Sequence, residues 1–179
     1  MDELIDILNS EGNYTGQTAL KSEAHLNGLF HQTIHVWFYT EHGEVLLQQR
    51  GKNKSTYPLK WDVSVAGHIG ASESFELGAI REVEEEIGVS ITSEQLDKIG
   101  VFKTEKRHSQ AFFDREFNHT FLCLLDKKLT LIKQESEVED LKWLSLNEFE
   151  GWVQEEHPDL VPNSENRYQF IISEIKSRL

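Results

Sequence analysis

Four glutamates lie close together in residues 81–88, which read REVEEEIG. In a helix, which turns by about 100° per residue, Glu82, Glu85 and Glu86 lie at i, i+3 and i+4 on one face. Glu84 points in another direction. Like charges at this spacing repel each other, and a bound divalent cation would remove that repulsion. Because carboxylate oxygens suit Mg²⁺, the segment is a candidate metal site, with a solvated acidic surface as the alternative.

The residues around these glutamates follow a longer pattern. It begins at Gly67 and continues, after five and then seven intervening residues, through Glu73, Arg81-Glu82-Val83, Glu85-Glu86 and Gly88-Val89. This is the pattern G-x5-E-x7-R-E-U-x-E-E-x-G-U, in which U is a bulky aliphatic residue. With about 5–7% usage of each fixed residue type, a chance match is on the order of 1 in 10⁹ per starting position. The segment resembles the Nudix box, and the chain is therefore similar to the Nudix hydrolases.

The resemblance implies an α/β (α+β) fold of the Nudix type, with a mixed β-sheet sandwiched between α-helices. It also implies metal-dependent hydrolysis of a diphosphate linkage in a nucleoside diphosphate derivative or a similar small metabolite. By this likeness Mg²⁺ or Mn²⁺ is held by Glu82, Glu85 and Glu86, one of which could also be the general base. The backbone carbonyl of Ala66 is expected as a further ligand. Arg81 and Glu73 are expected to orient the carboxylates.

Segments outside the box are similar to the Nudix hydrolases closest to isopentenyl-diphosphate isomerase. They comprise EVLLQQR at residues 44–50, the basic loop that follows, and WDVSVAGH at residues 61–68. By this likeness Arg50 and Lys54 contact the diphosphate. His68 lies in a glycine-flanked loop and could orient the loop or the substrate. Lys52 and Lys60 are expected to face water, and a wholly solvated loop is the alternative.

Two positions argue against isomerase chemistry. The isomerases use a cysteine directly before the glycine of a Gly-His pair, where this chain has Ala66, and a methyl group cannot relay a proton. They also use a glutamate in a later strand, where residues 118–120 read NHT. An isomerase-like protein acting on prenyl diphosphates, or a non-catalytic ligand-binding Nudix domain, remains the alternative to a hydrolase.

Several further ligand candidates stay open. His25, His31 and His68 fall near the position of a histidine metal site in the isomerases, although each also has an ordinary structural explanation and their spacing alone does not predict a site. Glu116 or Glu137 could supply an additional metal ligand. Trp61 and Trp143 could stack on a base, but as strand residues both are expected in the core.

The composition of the chain indicates which partners and which cellular location are expected. The chain has 179 residues and a net charge of −13, which argues against a nucleic acid polymer as partner, since such binding relies on Lys and Arg. A small-molecule diphosphate is the expected partner, and a homodimer stays open. No apolar run reaches the ~18–20 residues of a membrane span, and the acidic N-terminus is unlike a signal peptide, so we expect a cytoplasmic protein. The single cysteine, Cys123, is expected to be buried.

Elements that would position the box can be read from periodicity. We predict an N-terminal hairpin and lead-in over about 1–28, and strands at 31–40 and 44–50 that pair as a hairpin. A short strand follows at 61–65. The box at 67–89 contains a helix from near Ser74 to Gly88, whose spacing predicts a buried face made of Leu77, Ile80, Val83 and Ile87.

The second half predicts more strands and two helices. Strands are expected near 99–104, 117–125 and 141–146, with a charged loop at 105–116 that could form a substrate lid. Asn147 is expected to cap a short helix that reaches Val153. A terminal helix over about 163–178, starting at Asn163 or Ser164, would bury the residues Tyr168, Ile171, Ile172 and Ile175. No repeat or linker appears, so we predict a single domain over 1–179.

Overall fold

The computed structural model describes residues 2–162 and 166–179. The strands are β1 Leu4–Leu8, β2 Tyr14–Leu20, β3 Phe30–Tyr39, β4 Glu44–Arg50, β5 Trp61–Asp62, β6 Val65–His68, β7 Asp97–Ser109, β8 Phe112–Leu124 and β9 Val138–Ser145. The helices are α1 Lys21–Asn27, α2 Phe75–Ile87, α3 Leu146–Gln154 and α4 Arg167–Lys176, with a 3₁₀ turn at Ser93–Gln95.

Strand β3 is the centre of the sheet. It runs antiparallel to β1, β4 and β6 and parallel to β8, which in turn pairs with β7. β3 and β4 pair at Tyr39↔Val45, and β4 then leaves to pair with β9 and β5. The predicted hairpin is therefore correct at its turn and wrong beyond it, because β6 and β8 occupy the two edges of β3.

Both faces of β3 are covered, as alternation along a central strand requires. Ile34, Val36 and Phe38 belong to a core that includes Val83 and Ile87 of α2. On the opposite face, Trp37 and Tyr39 belong to a core that includes α3 and α4. A mixed sheet between helices is the fold that the sequence predicts.

Helix α2 has the predicted ends and, except at Leu77, the predicted buried face. Ser74 Oγ accepts a hydrogen bond from the Leu77 amide at 3.3 Å, and Gly88 ends the helix in the left-handed conformation at φ 68°. Val83 and Ile87 are fully buried and Ile80 is partly buried, as predicted, whereas Leu77 is 60% exposed. Ala79, which was not predicted to be buried, is fully buried, and its small side chain lets the helix approach the sheet.

The predicted loop at 105–116 is wrong. β7 and β8 run through it and pair from Asp97↔Leu122 to Ser109↔Phe112. Its charges are complementary across the hairpin: Glu105 is opposite Arg115, with a carboxylate oxygen 3.6 Å from Nε. A composition typical of a loop therefore forms an extended two-stranded arm.

Three smaller expectations have different outcomes. Ser145, not Asn147, caps α3, because its Oγ accepts the Glu148 amide at 3.2 Å. The predicted strand at 61–65 is broken into β5 and β6, with the buried hydroxyl of Ser64 donating to the Leu46 carbonyl at 2.6 Å between them. Asn163 and Ser164, the predicted start of the terminal helix, lie outside the described residues.

The remaining core expectations agree with the structure. Cys123 is 1% exposed, and the four predicted apolar positions of α4 are buried. β1 and β2 form an antiparallel pair joined by the turn at residues 9–13.

Among the described residues, no helix combines the length and the apolar character needed to cross a membrane.

Candidate functional site

The first half of the box brings the α2 carboxylates against the backbone of β6. A Cβ atom placed on Gly67 would lie 2.1 Å from Cδ of Glu82. Any other residue at position 67 would therefore displace this side chain. Burial raises the pKa of Glu82, and the neighbouring Arg81 partly offsets that effect.

Arg81 connects the parts of the box. Its Nε donates to Glu73 Oε1 at 3.0 Å and its Nη2 to Glu73 Oε2 at 2.9 Å. The guanidinium also donates to Glu82 Oε1 at 2.8 Å and to the His68 carbonyl at 3.0 Å. Glu73 in turn accepts the Gly70 amide at 2.9 Å. This network has the geometry expected of a pair that orients a carboxylate.

The three glutamates predicted on one face differ in their surroundings. Glu85 has a half-exposed side chain, 3.6 Å from Arg81 Nη1. Glu86 is 4% exposed, and its Oε2 accepts Gln48 Nε2 at 2.8 Å and lies 3.4 Å from the Ala66 amide. Burial raises the pKa of Glu86 to about 7, although the hydrogen bond from Gln48 acts in the opposite direction. The sequence missed this burial because position 86 lies at the border of the apolar face.

The two predicted substrate cations face the same pocket but already have partners. Arg50 donates to the Thr56 carbonyl at 3.0 Å and lies 3.3 Å from Asp62 Oδ2. Lys54 forms an ion pair with Glu137. Glu137, one of the candidate metal ligands, is therefore engaged by a lysine here. Lys52 is exposed, as predicted.

A histidine cluster forms beside the box. His25 from α1, His31 from β3 and His68 from β6 meet Glu116 from β8, and one ligand atom from each lies within 4.8 Å of all the others. In the part of the chain that the structure describes, the box glutamates are not part of this group. The spacing of these histidines gave no signal, because they come from different elements.

Two imidazoles of the cluster have one ring nitrogen bound to a backbone carbonyl. His31 Nδ1 lies 2.9 Å from the Leu29 carbonyl, and His25 Nδ1 lies 3.0 Å from that of Phe113. Each of these Nδ1 atoms therefore carries a proton, and in a neutral ring Nε2 is then an acceptor. His25 Nε2 is 3.0 Å from His68 Nε2, so one of these two nitrogens donates to the other. His31 Nε2 is buried without a hydrogen-bond partner among the described residues, 3.8 Å from Glu116 Oε1. Burial, followed by the charge of Lys21, holds the pKa of His68 well below its usual value.

This donor set fits a divalent metal ion. Three imidazole nitrogens and one carboxylate are typical ligands of zinc and other transition metals. The observation that favours such an ion is the buried His31 Nε2, which makes no hydrogen bond to a described residue and lies 3.8 Å from the Glu116 carboxylate. The group therefore qualifies as a candidate metal site.

Strand β8 carries carboxylates near the site, although the sequence offered none on this strand at residues 118–120. Residues 118–120 hold none, but Glu116 and Asp114 lie two and four positions earlier and line the pocket. Asp114 Oδ1 is 3.3 Å from His25 Nδ1. The sequence did not reveal these carboxylates because its composition at 105–116 predicts a loop. In the strand that forms instead, residues 114, 116 and 118 lie on the same face.

One cleft of about 860 Å³ contains most of these groups. Its walls include the side chains of Glu82, Glu85 and Glu86, the basic residues Arg50 and Lys54, and three members of the histidine cluster, His25, His68 and Glu116. Trp61 and Trp143 are not among the described residues that line the cleft. Both pack against the hydrophobic core, as predicted. Trp37, which sequence reasoning did not single out, does line the cleft. Its size suits a nucleotide-sized ligand.

The chain belongs to the Nudix family. A family model described as the NUDIX domain matches residues 29–164. The chain is 34% identical over 170 residues to Nudix hydrolase 3 of Arabidopsis thaliana, an alignment that covers 92% of this chain and 22% of that protein. It is 28% identical over 146 residues to isopentenyl-diphosphate Delta-isomerase 2 of Photorhabdus laumondii, covering 82% of this chain and 79% of that protein.

The chain spans only part of the curated relatives that it matches first. For an uncharacterized Nudix hydrolase of Clostridium acetobutylicum the identity is 37% over 124 residues, which is 59% of that protein. Solved structures agree in fold. A Deinococcus radiodurans protein superposes with a TM-score of 0.68 at 18% identity, over 90% of this chain and 93% of that one.

Proposed function

We propose that this chain is a divalent-metal-dependent hydrolase of a diphosphate linkage in a nucleoside diphosphate derivative or similar small metabolite. The observation that carries the proposal is the complete box, folded so that Glu82 packs on Gly67 and the carboxylates share one cleft with Arg50 and Lys54. A regulatory domain that only binds ligand would not need all of these groups. The NUDIX domain of Shewanella oneidensis NrtR, solved with ADP ribose, has the same fold at a TM-score of 0.58 and 19% identity.

Each group has a distinct task in this proposal. Glu82, Glu85 and Glu86 hold Mg²⁺ or Mn²⁺ together with the Ala66 carbonyl. A divalent cation bound there supplies charge neutralisation of the diphosphate and a water of lowered pKa. Arg81 and Glu73 keep Glu82 in position through the contacts described above. Lys54 and Arg50 exchange their internal carboxylate partners for phosphate oxygens when substrate enters.

The histidine cluster gives a second metal centre in this proposal. His68 and Glu116 line the same cleft as the box, so an ion there would face the substrate. Because His31 is one of the four grouped ligand residues, His31→Ala should abolish binding of a zinc or manganese equivalent in equilibrium dialysis. The box equivalent should remain, since His31 makes no contact with Glu82, Glu85 or Glu86.

A substrate panel tests the hydrolase assignment. Dinucleotides, nucleotide sugars, nucleoside diphosphates and triphosphates, coenzyme A and prenyl diphosphates are incubated with and without Mg²⁺ or Mn²⁺, and phosphate-containing products are measured. We expect metal-dependent cleavage of at least one nucleoside diphosphate derivative. If no member is cleaved under any metal condition, the ligand-binding alternative replaces the hydrolase.

An isomerase is the second candidate, favoured by the isomerase relatives and by the histidine cluster beside Glu116. Ala66 argues against it, because the methyl group cannot carry a proton to or from a carbon atom. Isopentenyl diphosphate incubated with the metal-loaded protein should therefore give no dimethylallyl diphosphate. Detection of the allylic product would reverse the order of the two candidates.

A further inference from the structure

One arginine of the cleft has no carboxylate partner among the described residues. Arg167, at the start of α4, donates from Nη1 to Asn118 Oδ1 at 3.1 Å and from Nη2 to Thr104 Oγ1 at 2.9 Å. Both partners are neutral. By contrast, Arg50 and Arg81 in the same cleft each lie within ion-pair distance of an acidic side chain. Arg167 is partly buried, so its charge lacks full solvation and has no acidic partner among the described residues.

Two buried N–H donors of this region are also unsatisfied. Arg167 Nε and Trp37 Nε1 have no hydrogen-bond partner among the described residues, although both side chains line the cleft. Buried donors are almost always paired in native proteins, so orphaned ones indicate a missing acceptor. A ligand that carries acceptor atoms would satisfy both.

His35 completes this part of the wall. Thr33, His35 and Trp37 alternate on β3 and so project from one face of the sheet. The His35 ring lines the cleft together with Trp37 and Arg167, and its two nitrogens are hydrogen-bonding groups. His35 is opposite Ala66 on β6, whose amide lies 3.4 Å from Glu86 Oε2. The group thus adjoins the box carboxylates.

We propose that Arg167, His35 and Trp37 form a subsite for an oxyanion, a phosphate monoester or a carboxylate, on the part of the substrate outside the scissile diphosphate. This inference rests on the proposed hydrolase function and adds a substrate class to it: diphosphates whose second moiety carries its own negative charge. Arginine is suited to this task because its planar fork matches both carboxylate and phosphate.

The same wall disfavours a hydrocarbon. Besides the cation, it presents the polar side chains of Thr33, Thr104 and Asn118. A prenyl chain placed against them would give the N–H donors of Arg167 and Trp37 no acceptor, and it would shield the charge of Arg167 from solvent. Sites built with polar groups reject ligands that lack the matching atoms more strongly than apolar sites reject extra ones.

Anion binding without metal tests the subsite independently of catalysis. The protein in EDTA is titrated with methyl phosphate or with acetate, with glycerol as the uncharged probe, and the indole N–H resonance of Trp37 is followed by NMR after assignment with Trp37→Phe. We expect a saturable shift with at least one anion and none with glycerol. Lys54→Gln should leave the shift in place, because that lysine lies at the diphosphate end.

Variants separate the subsite from a structural role of Arg167, which also packs on the Phe102 ring. Arg167→Gln should weaken anion binding at least tenfold, whereas Arg107→Gln, which removes an exposed arginine outside the cleft, should not change it. Arg167→Lys keeps the charge and loses the fork, so it should weaken binding at least threefold if the glutamine variant does not fold. Absence of a Trp37 shift in the wild-type protein, or equal affinity in a folded Arg167 variant, would overturn the proposal.

Substrate pairs extend the test to catalysis. UDP-glucuronate is compared with UDP-glucose, and NADPH with NADH, because each pair differs by one carboxylate or phosphate outside the diphosphate. We expect kcat/KM to favour the anionic member of one pair at least tenfold, and Arg167→Gln to bring that ratio to about one. If nothing is hydrolysed but Trp37 still responds to anions, the proposed function fails and the anion subsite stands. If hydrolysis occurs without any preference that depends on Arg167, the subsite alone is wrong.

Discussion

The three carboxylates of the box differ in burial and in hydrogen-bond partners, because different backbone segments and side chains surround each one. Glu82 lies against Gly67, Glu86 is buried beneath Gln48, and Glu85 reaches solvent. Three chemically identical side chains thus have three environments within a little more than one helical turn. Their contributions to metal binding and to stability should therefore separate in single variants.

Glu85→Gln should lower kcat by about 10²–10³, the effect expected when a preorganised electrostatic group is lost. Folding should be unaffected, because Glu85 is half-exposed and its contact with Arg81 is a surface ion pair of small worth. Steady-state hydrolysis and thermal unfolding check the two parts. Glu84→Gln, an exposed change on another side of the helix, is the matched control. Equal turnover in the two variants would remove Glu85 from the metal site.

Glu86 should make the stability of the metal-free protein depend on pH. Its pKa is about 7 in the folded chain, above the ordinary value of 4.5, so the folded state holds a proton that the unfolded state releases. The free energy of unfolding should therefore fall as the pH rises from about 4.5 to about 7. Glu86→Gln removes this ionisation.

Urea unfolding in EDTA measures that difference. The variant should match the wild-type protein near pH 4.5 and exceed it by about 1–3 kcal/mol near pH 8. The hydrogen bond to Gln48 gives no reason for a pH-dependent difference, because an amide oxygen at position 86 can still accept it. A constant difference across the whole pH range would contradict the raised pKa.

At the scale of elements, two cations at the loop of residues 51–60 differ in their contacts: Arg50, at the end of β4, donates to Thr56 within the loop, whereas Lys54 pairs with Glu137 outside it. Lys54→Ala should raise KM and cost about 1.5–3 kcal/mol in kcat/KM if its charged hydrogen bond is covered by substrate. Arg50→Ala should in addition destabilise the fold, because Arg50 donates to the Thr56 carbonyl and hydroxyl at 3.0 and 3.1 Å. Lys52→Ala should change kcat/KM by less than about twofold. Three neutral variants would mean that the loop is merely solvated, and three equally impaired variants would mean a diffuse electrostatic effect that high salt abolishes.

Helix α3 provides a direct test of which residue caps it. The Ser145 hydroxyl accepts the Glu148 amide, and Glu148 Oε2 accepts the Ser145 amide at 2.9 Å. Ser145→Ala should therefore lower the free energy of unfolding by about 1 kcal/mol, the usual worth of an N-cap. Asn147→Ala, at the position that the sequence favoured, should have little effect in the same denaturation experiment. The reverse order would restore Asn147 as the cap.

For the whole molecule, the net charge of −13 opposes the approach of a polyanionic substrate. Screening should weaken this repulsion, so kcat/KM should rise severalfold as ionic strength increases from about 10 mM to about 150 mM. The measurement uses saturating metal throughout, to keep metal binding constant. A steady decrease with salt would mean that the local basic groups around Arg50 and Lys54 outweigh the field of the whole chain.

The sequence by itself determined the features that depend on neighbouring residues. The spacing of the box, the ends of α2 at Ser74 and Gly88, and the buried face of α4 follow from caps and helical periodicity within short segments. The same local rules failed where charge patterns could be satisfied across a pair of strands, as in the β7–β8 hairpin at Glu105 and Arg115.

Only the tertiary structure decided which distant residues meet. The histidine cluster requires α1, β3, β6 and β8 to come together, and the parallel register of His31 with Glu116 joins residues far apart in the chain. The burial of Glu86 and the position of Arg167 over Asn118 likewise depend on packing between elements. The physical reason is that periodicity specifies which face of an element is apolar, whereas strand pairing and its register decide which polar side chains that element will face.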